Sequence, residues 1–362
     1  MTVASLFTKD FRNLKEKSIS FSENINLVVG DNGSGKSSLL EAIFFLGHGK
    51  SFRSTKSEAL INFDNANFVL SAKDANNNQL GVSKSKLDSG FLIKVNGEKK
   101  QRVSELAKAL AVQIITPESF KLFFGGAKER RKFLDLGLFH VEHSFQRQWK
   151  VFSRILKQRN ACLKNRIIGE EFEYWTEQFY IESQKLSSLR SDYVVLLKEE
   201  LQFWLTTLLP EHNGVINVQY YQGWNSKKDL LDVLKQNREK EIQLGYSSAG
   251  AHKFDFRFLI DKQTLDLKLS RGQQKLFLLA LTLAQSELMK KVTPVKPILL
   301  IDDVGAELDS TSRKLLAEAI SKLECQVILT AIEEQALESM KKIDNNYKMF
   351  HVKHGEISEL GK

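Results

Sequence analysis

The sequence predicts an α/β protein in which a mixed-sheet head is interrupted by an inserted helical arm. Three observations carry this. The apolar run Ile25–Val29 leads into a glycine-rich turn and then a helix. A second apolar run, Ile298–Ile301, ends in two carboxylates, and between the two lies a proline-free stretch, from Lys128 to about Leu209, with apolar residues at helical spacing. Short unbroken apolar runs are the mark of parallel strands buried on both faces.

The head is expected first over residues 1–117. Ser18–Ser22 alternates, Phe68–Ala72 and Phe91–Val95 read as extended, and Asn76–Asn78 and Val95–Glu98 are turn signals. The arm is expected over 118–252. Its first long helix places Phe145, Trp149, Phe152, Leu156 and Leu163 on one seam, and Arg147, Lys150, Arg154 and Lys157 on the opposite side. A break at 165–169 precedes a second helix, with Trp175, Phe179, Leu186, Leu189, Tyr193 and Leu196 as its seam. Two antiparallel helices of roughly 50–60 Å each are the economical reading. An extended piece, Val215–Tyr221, and a helix around Lys227–Lys240 complete the arm. The head then returns over 253–362, with Phe254–Ile260, Ile298–Ile301 and Val327–Thr330 as strands and Gln273–Lys291 and Arg313–Leu323 as helices.

Composition sets the class. A chain of 362 residues, 42% of them hydrophobic and only 4 of them proline, can bury a sizeable core. Its two cysteines, Cys162 and Cys325, have no metal-type spacing and suit a reducing compartment. The N-terminus lacks the apolar core of a signal peptide, and runs such as Leu276–Ala284 fall short of the ~20 residues a membrane span needs. A cytoplasmic protein with no membrane partner is expected. The net charge of +9 favours a polyanionic partner only weakly, but between Lys121 and Arg166 twelve Lys/Arg face three acids.

The chemistry begins at Gly30-Asp31-Asn32-Gly33-Ser34-Gly35-Lys36-Ser37, which fits G-x-x-x-x-G-K-[ST], with Ser38 continuing into the helix. Such a loop cradles a triphosphate: its N–H groups turn inward, the helix N-terminus adds a positive dipole end, Lys36 reaches the β and γ oxygens and the Ser37 hydroxyl can ligate Mg²⁺. ATP and Mg²⁺ are the expected ligands. Asp302 lies about 265 residues on, at a strand end where ligands of an open α/β sheet bind, and is placed to hold the Mg²⁺ shell. Asp303, one residue further, is placed to orient or deprotonate an attacking water. Ser270 suits an N-cap, and Gly272 permits close backbone approach to a ligand.

With Leu269 before it, Ser270-Arg271-Gly272-Gln273 resembles the Leu-Ser-Gly-Gly-Gln signature of ABC-type ATPases, and Glu307-Leu308-Asp309 resembles their D-loop. The likeness narrows to the RecF family, whose pattern the chain follows over nearly its full length. It runs through FRNL at Phe11–Leu14, the phosphate loop and its helix at Gly30–Ile43, KSFRS at Lys50–Ser54, Ile115–Asp135, LSRGQQK at Leu269–Lys275 and Leu299–Asp309. The resemblance implies an ABC-type ATPase head with the arm inserted into it. It further implies an ATP-dependent homodimer with Ser270–Gln273 contacting the partner's triphosphate, and weak, DNA-stimulated ATP hydrolysis. It also implies binding to duplex and gapped or junction DNA, and assistance to RecA loading and replication restart with RecO and RecR. Gln113 is the candidate Q-loop residue and Mg²⁺ ligand. The chain departs from the family in carrying Gly250-Ala251-His252-Lys253 in place of a Gly-Pro-His-Arg-type element; Thr330-Ala331-Ile332 lacks the switch histidine of transporter ATPases, as RecF-like sequences also do.

The ridge Arg147, Lys150, Arg154 and Lys157 reads equally as four phosphate contacts or as a solvated helix face, with Lys50 and Arg53 as further candidates. Phosphate contacts carry no base information, so binding set by DNA structure rather than sequence is expected. A transporter ATPase would need closer motif spacing. An SMC or Rad50-like tether would need long heptads or a Cys-x-x-Cys hook. An overcoming-lysogenization-type nuclease would need a second acidic metal cluster.

Overall fold

A computed structural model describes every residue except 89, 293–295, 306, 307, 345 and 362. The chain forms two compact units. The head unit comprises residues 1–120, 203–210 and 270–362, and the arm unit 121–202 and 211–269.

Two six-stranded sheets build the head. One is antiparallel, ordered Lys17–Ser20, Ser5–Lys9, Asn67–Lys73, Gln79–Ser85, Leu92–Val95, Glu98–Lys100. The other is ordered Glu356–Leu360, Lys348–Lys353, Ile25–Val29, Gln326–Ala331, Ile298–Ile301, Val112–Ile115, and all its pairings are parallel but the first. Ile25–Val29, Ile298–Ile301 and Gln326–Ala331 are buried at every residue, which is why they read as apolar runs interrupted only by Asn26, Gln326 and Thr330.

The helix Lys36–His48 shares one core cluster with both sheets: its Leu39, Leu40, Ile43, Phe45 and Leu46 pack with Leu6, Phe68 and Leu80 of one and with Val28, Leu300 and Ile328 of the other. Buried Gln326 adds a polar bond between the layers. Its amide takes the Val3 N–H at 2.8 Å and donates to the carbonyls of Val3 and Ser22, each at 2.8 Å.

The arm unit holds the helices Ala127–Val141, Phe145–Lys164 and Glu170–Leu208, the last with its final turns in the head unit. Gln148 bonds Glu182 and Arg159 bonds Thr176, so the second and third helices run antiparallel as expected. At 1.5 Å per residue they are about 30 Å and about 58 Å long, so the first is half the expected length. The second segment extends to Leu269, past the 252 boundary read from the sequence, because Asp255–Ile260 pairs with Asn217–Tyr221 rather than with a head strand. The helix expected near Lys227–Lys240 is two, Leu230–Gln236 and Arg238–Leu244.

The buried faces also differ from the expected seams. Trp149 is exposed, whereas Ile155, Arg159 and Cys162 are buried. Arg159 fixes this rotation. It is fully enclosed, its guanidinium lies 2.7 Å from the equally enclosed Glu241, and it donates to Ser247 Oγ at 2.6 Å and Thr176 Oγ1 at 3.2 Å. Removing one partner of so buried a pair costs about 3–5 kcal/mol, so packing follows the pair. Arg190 acts alike, with a fork on Asp135 at 2.9 Å and a bond to the Ala251 carbonyl at 2.7 Å.

Burial lowers the pKa of His140 and of His252 to about 4. Both are therefore neutral when folded but take a proton below about 6.5 when unfolded, so their contribution is intact above pH 6.5 and is lost as pH falls toward 4. Urea unfolding of the chain should weaken across that window by up to about 3 kcal/mol per histidine, and His140→Asn with His252→Asn should flatten the slope.

Candidate nucleotide site

The parallel register brings the site together. Val29 is level with Ala331 and Ile301 with Leu329, so Gly30, Asp302 and Thr330 meet at the carboxyl ends of three adjacent strands. There the head opens a cleft of about 900 Å³ lined by Asn32, Gly33, Gly35, Lys36, Ser37, Ser38, Asp302 and Asp303, with Arg12, Asn13 and Arg53 beside them.

Two glycines make the turn possible. A Cβ on Gly30 would stand 2.3 Å from the Val352 carbonyl oxygen, and Gly33 has φ +77°. Lys36 folds over the loop, its ammonium donating to the carbonyls of Gly30 at 2.6 Å and Asp31 at 3.0 Å. Burial lowers its pKa, opposed in part by the carboxylates of Asp303, Asp302 and Asp31. Ser34 bonds back to the Asp31 carbonyl through its N–H.

Asp302, Asp303, Ser37 and Lys36 are thus brought together as the sequence reading requires. Asp302 Oδ1 accepts from Ser37 Oγ at 3.3 Å and from Thr330 Oγ1 at 2.7 Å. Asp303 has a left-handed backbone, φ 53°. Its N–H donates to Thr330 Oγ1 at 2.9 Å and its carbonyl accepts from the Lys275 ammonium at 2.9 Å. Its Oδ1 is buried without a hydrogen-bond partner among the described residues. An enclosed carboxylate oxygen with nothing bound to it fits a water or a magnesium-bound water. The side-by-side oxygens of Ser37 and Asp302 are the hard donors Mg²⁺ takes.

Gln113 is not brought to the site. It is two residues short of the strand's carboxyl end, level with Leu299, and its amide packs on Met289 Sδ at 3.5 Å inside the core. A glutamine at that register faces the helix over the sheet, which corrects the expectation that it ligates Mg²⁺.

Ser270 and Gln273 form a capping box at the start of the helix Arg271–Val292. The Ser270 N–H donates to Gln273 Oε1 at 2.9 Å, and the Gln273 N–H donates to Ser270 Oγ at 3.3 Å. Arg271 stacks over Phe120, 5.5 Å from the ring centre. None of Ser270, Arg271, Gly272 and Gln273 lines the chain's own phosphate-loop cleft. Asp309 caps the helix Ser310–Ser321 by accepting the Ser312 N–H, whereas Glu307 lies outside the described residues.

Three contributors escaped the sequence reading as site residues. Asn13 accepts from Ser38 Oγ at 2.8 Å and donates to the Gly33 carbonyl at 3.2 Å, bracing the phosphate loop. Arg12 forks onto Glu41, fully buried on the loop's helix, with both contacts at 2.8 Å. Thr330 is the third, and its place at a parallel strand's carboxyl end was the available signal. Arg53 lies against Glu41 at the cleft, at 3.7 Å. In the arm unit Arg147, Lys150, Arg154 and Lys157 are all exposed, and Gly250–Lys253 packs within that unit through the bond from Arg190.

Known proteins match the chain over nearly its whole length. The family model of the RecF/RecN/SMC N-terminal domain matches residues 2–358. The DNA replication and repair protein RecF of Colwellia psychrerythraea is 55% identical, the match covering 99% of this chain and 97% of that one. RecF of Haemophilus influenzae (strain KW20 / Rd) is 40% identical over 99% and 100%. The solved structure of the recombination mediator protein RecF–ATP in the RecFOR pathway superposes with a TM-score of 0.84 at 26% identity, covering 99% of this chain and 98% of the other. An SMC head bound to the winged-helix domain of ScpA shares the fold, with a TM-score of 0.59 at 16% identity. Among the described residues no helix is long and apolar enough to cross a membrane.

The two loop glycines should respond differently to alanine. Gly30→Ala must displace the Val352 backbone, whereas Gly33→Ala meets only the left-handed strain of about 1–2 kcal/mol. Thermal unfolding and titration with a fluorescent ATP analogue should show Gly30→Ala losing both stability and at least tenfold in affinity. Gly33→Ala should keep its fold.

Proposed function

The chain belongs to the RecF family of ABC-type ATPases, and from that premise we propose that it is an ATP-gated clamp on DNA in recombinational repair. The observation that carries the proposal is the separation of the two halves of the nucleotide site. The phosphate loop and Asp302–Asp303 share one cleft, while Ser270–Gln273 is presented outside it. A second copy completes the site: ATP held at Gly30–Ser37 of one chain is met by Ser270–Gln273 of the other, and two such contacts close the dimer.

In the closed state Lys36 leaves the carbonyls of Gly30 and Asp31 for the β and γ oxygens of the triphosphate. The exchange is favourable because an anion replaces neutral acceptors around a buried ammonium. The loop's N–H groups and the helix end take the β-phosphate. Ser37, and Asp302 through water, would hold Mg²⁺, which would supply charge neutralisation to the triphosphate. Asp303 orients the attacking water and accepts its proton. Hydrolysis is slow because the site is complete only when Ser270–Gln273 of a second copy meets the triphosphate, and it reopens the clamp.

The arm supplies the DNA contact. Arg147, Lys150, Arg154 and Lys157 are exposed along one side of the helix Phe145–Lys164, with no acid interleaved among them. Each can displace a condensed counterion from a duplex. The contacts read backbone geometry, which suits duplex with gaps or single-strand junctions, where the family acts with RecR and RecO to assist RecA loading and replication restart. The proposed place of action is the cytoplasm.

The test is salt-dependent binding to a gapped duplex in the presence of ATP. Replacing the four ridge cations by alanine should flatten log Kobs against log[salt] by about 3–4 per bound chain. Affinity and slope unchanged by the fourfold replacement would remove the ridge from the DNA interface.

A further inference from the structure

We propose that Thr330 and Lys275 are positioning residues for ATP hydrolysis, holding Asp303 between them in the one backbone conformation from which its carboxylate can act. The inference rests on the reading of Asp303 as the group that orients and deprotonates water, and assigns to it two residues that the sequence reading gave no role.

The geometry is a bracket around one peptide unit. Asp303 adopts φ 53°, a left-handed conformation that is uncommon for a residue with a side chain. Two contacts hold it. On the amide side, Thr330 Oγ1 accepts the Asp303 N–H at 2.9 Å and gives its own proton to Asp302 Oδ1 at 2.7 Å. One hydroxyl thus fixes both carboxylate residues, and its single proton is committed to Asp302. On the carbonyl side, the Lys275 ammonium donates to Asp303 O at 2.9 Å. Both side chains are buried, Thr330 completely and Lys275 to 4% exposure.

Neither side chain is needed to make its own element. Thr330 already pairs through its backbone with Val28 in the sheet, and the core packing of the helix that carries Lys275 is supplied by Leu276, Phe277, Leu279, Leu281 and Leu283. What the pair does beyond packing is aim Asp303, whose Oδ1 is left enclosed and without a partner among the described residues. Thr330 occupies the strand end where the sequence showed no switch histidine. The hydroxyl there reaches two carboxylate residues at once, a role different from touching the γ-phosphate. Lys275 opens the second turn of the helix that begins with Ser270–Gln273, so the anchor of Asp303 follows directly on the segment presented to a partner chain.

The experiment compares full-length wild type with Asp303→Asn, Thr330→Val, Thr330→Ser and Lys275→Met. It measures the steady-state rate of ATP hydrolysis with Mg²⁺ and the dissociation constant of a fluorescent ATP analogue. Thr330→Val keeps the shape and removes the hydroxyl, Thr330→Ser keeps the hydroxyl, and Lys275→Met keeps the stem and removes the donor. We expect Thr330→Val and Lys275→Met to lower kcat by about 10- to 100-fold, the scale of a misplaced catalytic group, with nucleotide affinity within about threefold of wild type. Thr330→Ser should restore kcat to within about threefold.

Wild-type rates in Thr330→Val and Lys275→Met beside an inactive Asp303→Asn would overturn the bracket and leave the role of Asp303 standing. A wild-type rate in Asp303→Asn would instead overturn that role. Thr330→Ser as slow as Thr330→Val would overturn the assignment of the hydroxyl, and loss of nucleotide binding in step with kcat would overturn positioning for either residue.

Discussion

One carboxylate oxygen organises the head. Asp302 Oδ1 gathers hydroxyl groups from the ends of two other structural elements, Ser37 at the start of the phosphate-loop helix and Thr330 on the neighbouring strand. This requires the strands before Gly30, before Asp302 and around Thr330 to finish at the same level, which a parallel register with every residue buried enforces. The antiparallel sheet beyond the helix, the Gln326 link between layers and the Asn13 brace all maintain that alignment. A slip of one residue in any of the three strands would turn these groups away from one another.

The same logic separates the two kinds of positive charge in the arm unit. Arg159 and Arg190 are enclosed and matched to Glu241 and Asp135, with remaining donors placed on hydroxyls or a carbonyl. They specify how the helices pack. Arg147, Lys150, Arg154 and Lys157 are left on the surface of the same helix as Arg159. The surplus of cations in this region is therefore two populations, one structural and one available to a polyanion.

How much of this was legible follows from the range of each interaction. The phosphate loop, the carboxylate-ended strand and the N-cap at Ser270 are local patterns, and each stands where the sequence placed it. The arm's antiparallel pair was likewise legible from periodicity. Its rotation was not, because the partner that turns Arg159 inward, Glu241, lies on a separate short helix. Gln113 was misread for a related reason: a glutamine in an apolar strand looks functional until the register shows it short of the site and packed on Met289. Thr330 and Asn13 were missed as site residues because a lone hydroxyl or amide acquires meaning only from its partners, which here lie 20 to 28 residues away.

The central claim is that a second copy supplies Ser270–Gln273 to each bound triphosphate. Sedimentation velocity of wild type and Ser270→Arg, each with saturating ATP and Mg²⁺, tests it most directly, with nucleotide occupancy measured in the same samples. The account predicts a dimer for wild type, and for Ser270→Arg a monomer that still carries one nucleotide per chain. Association of Ser270→Arg as strong as that of wild type would contradict it.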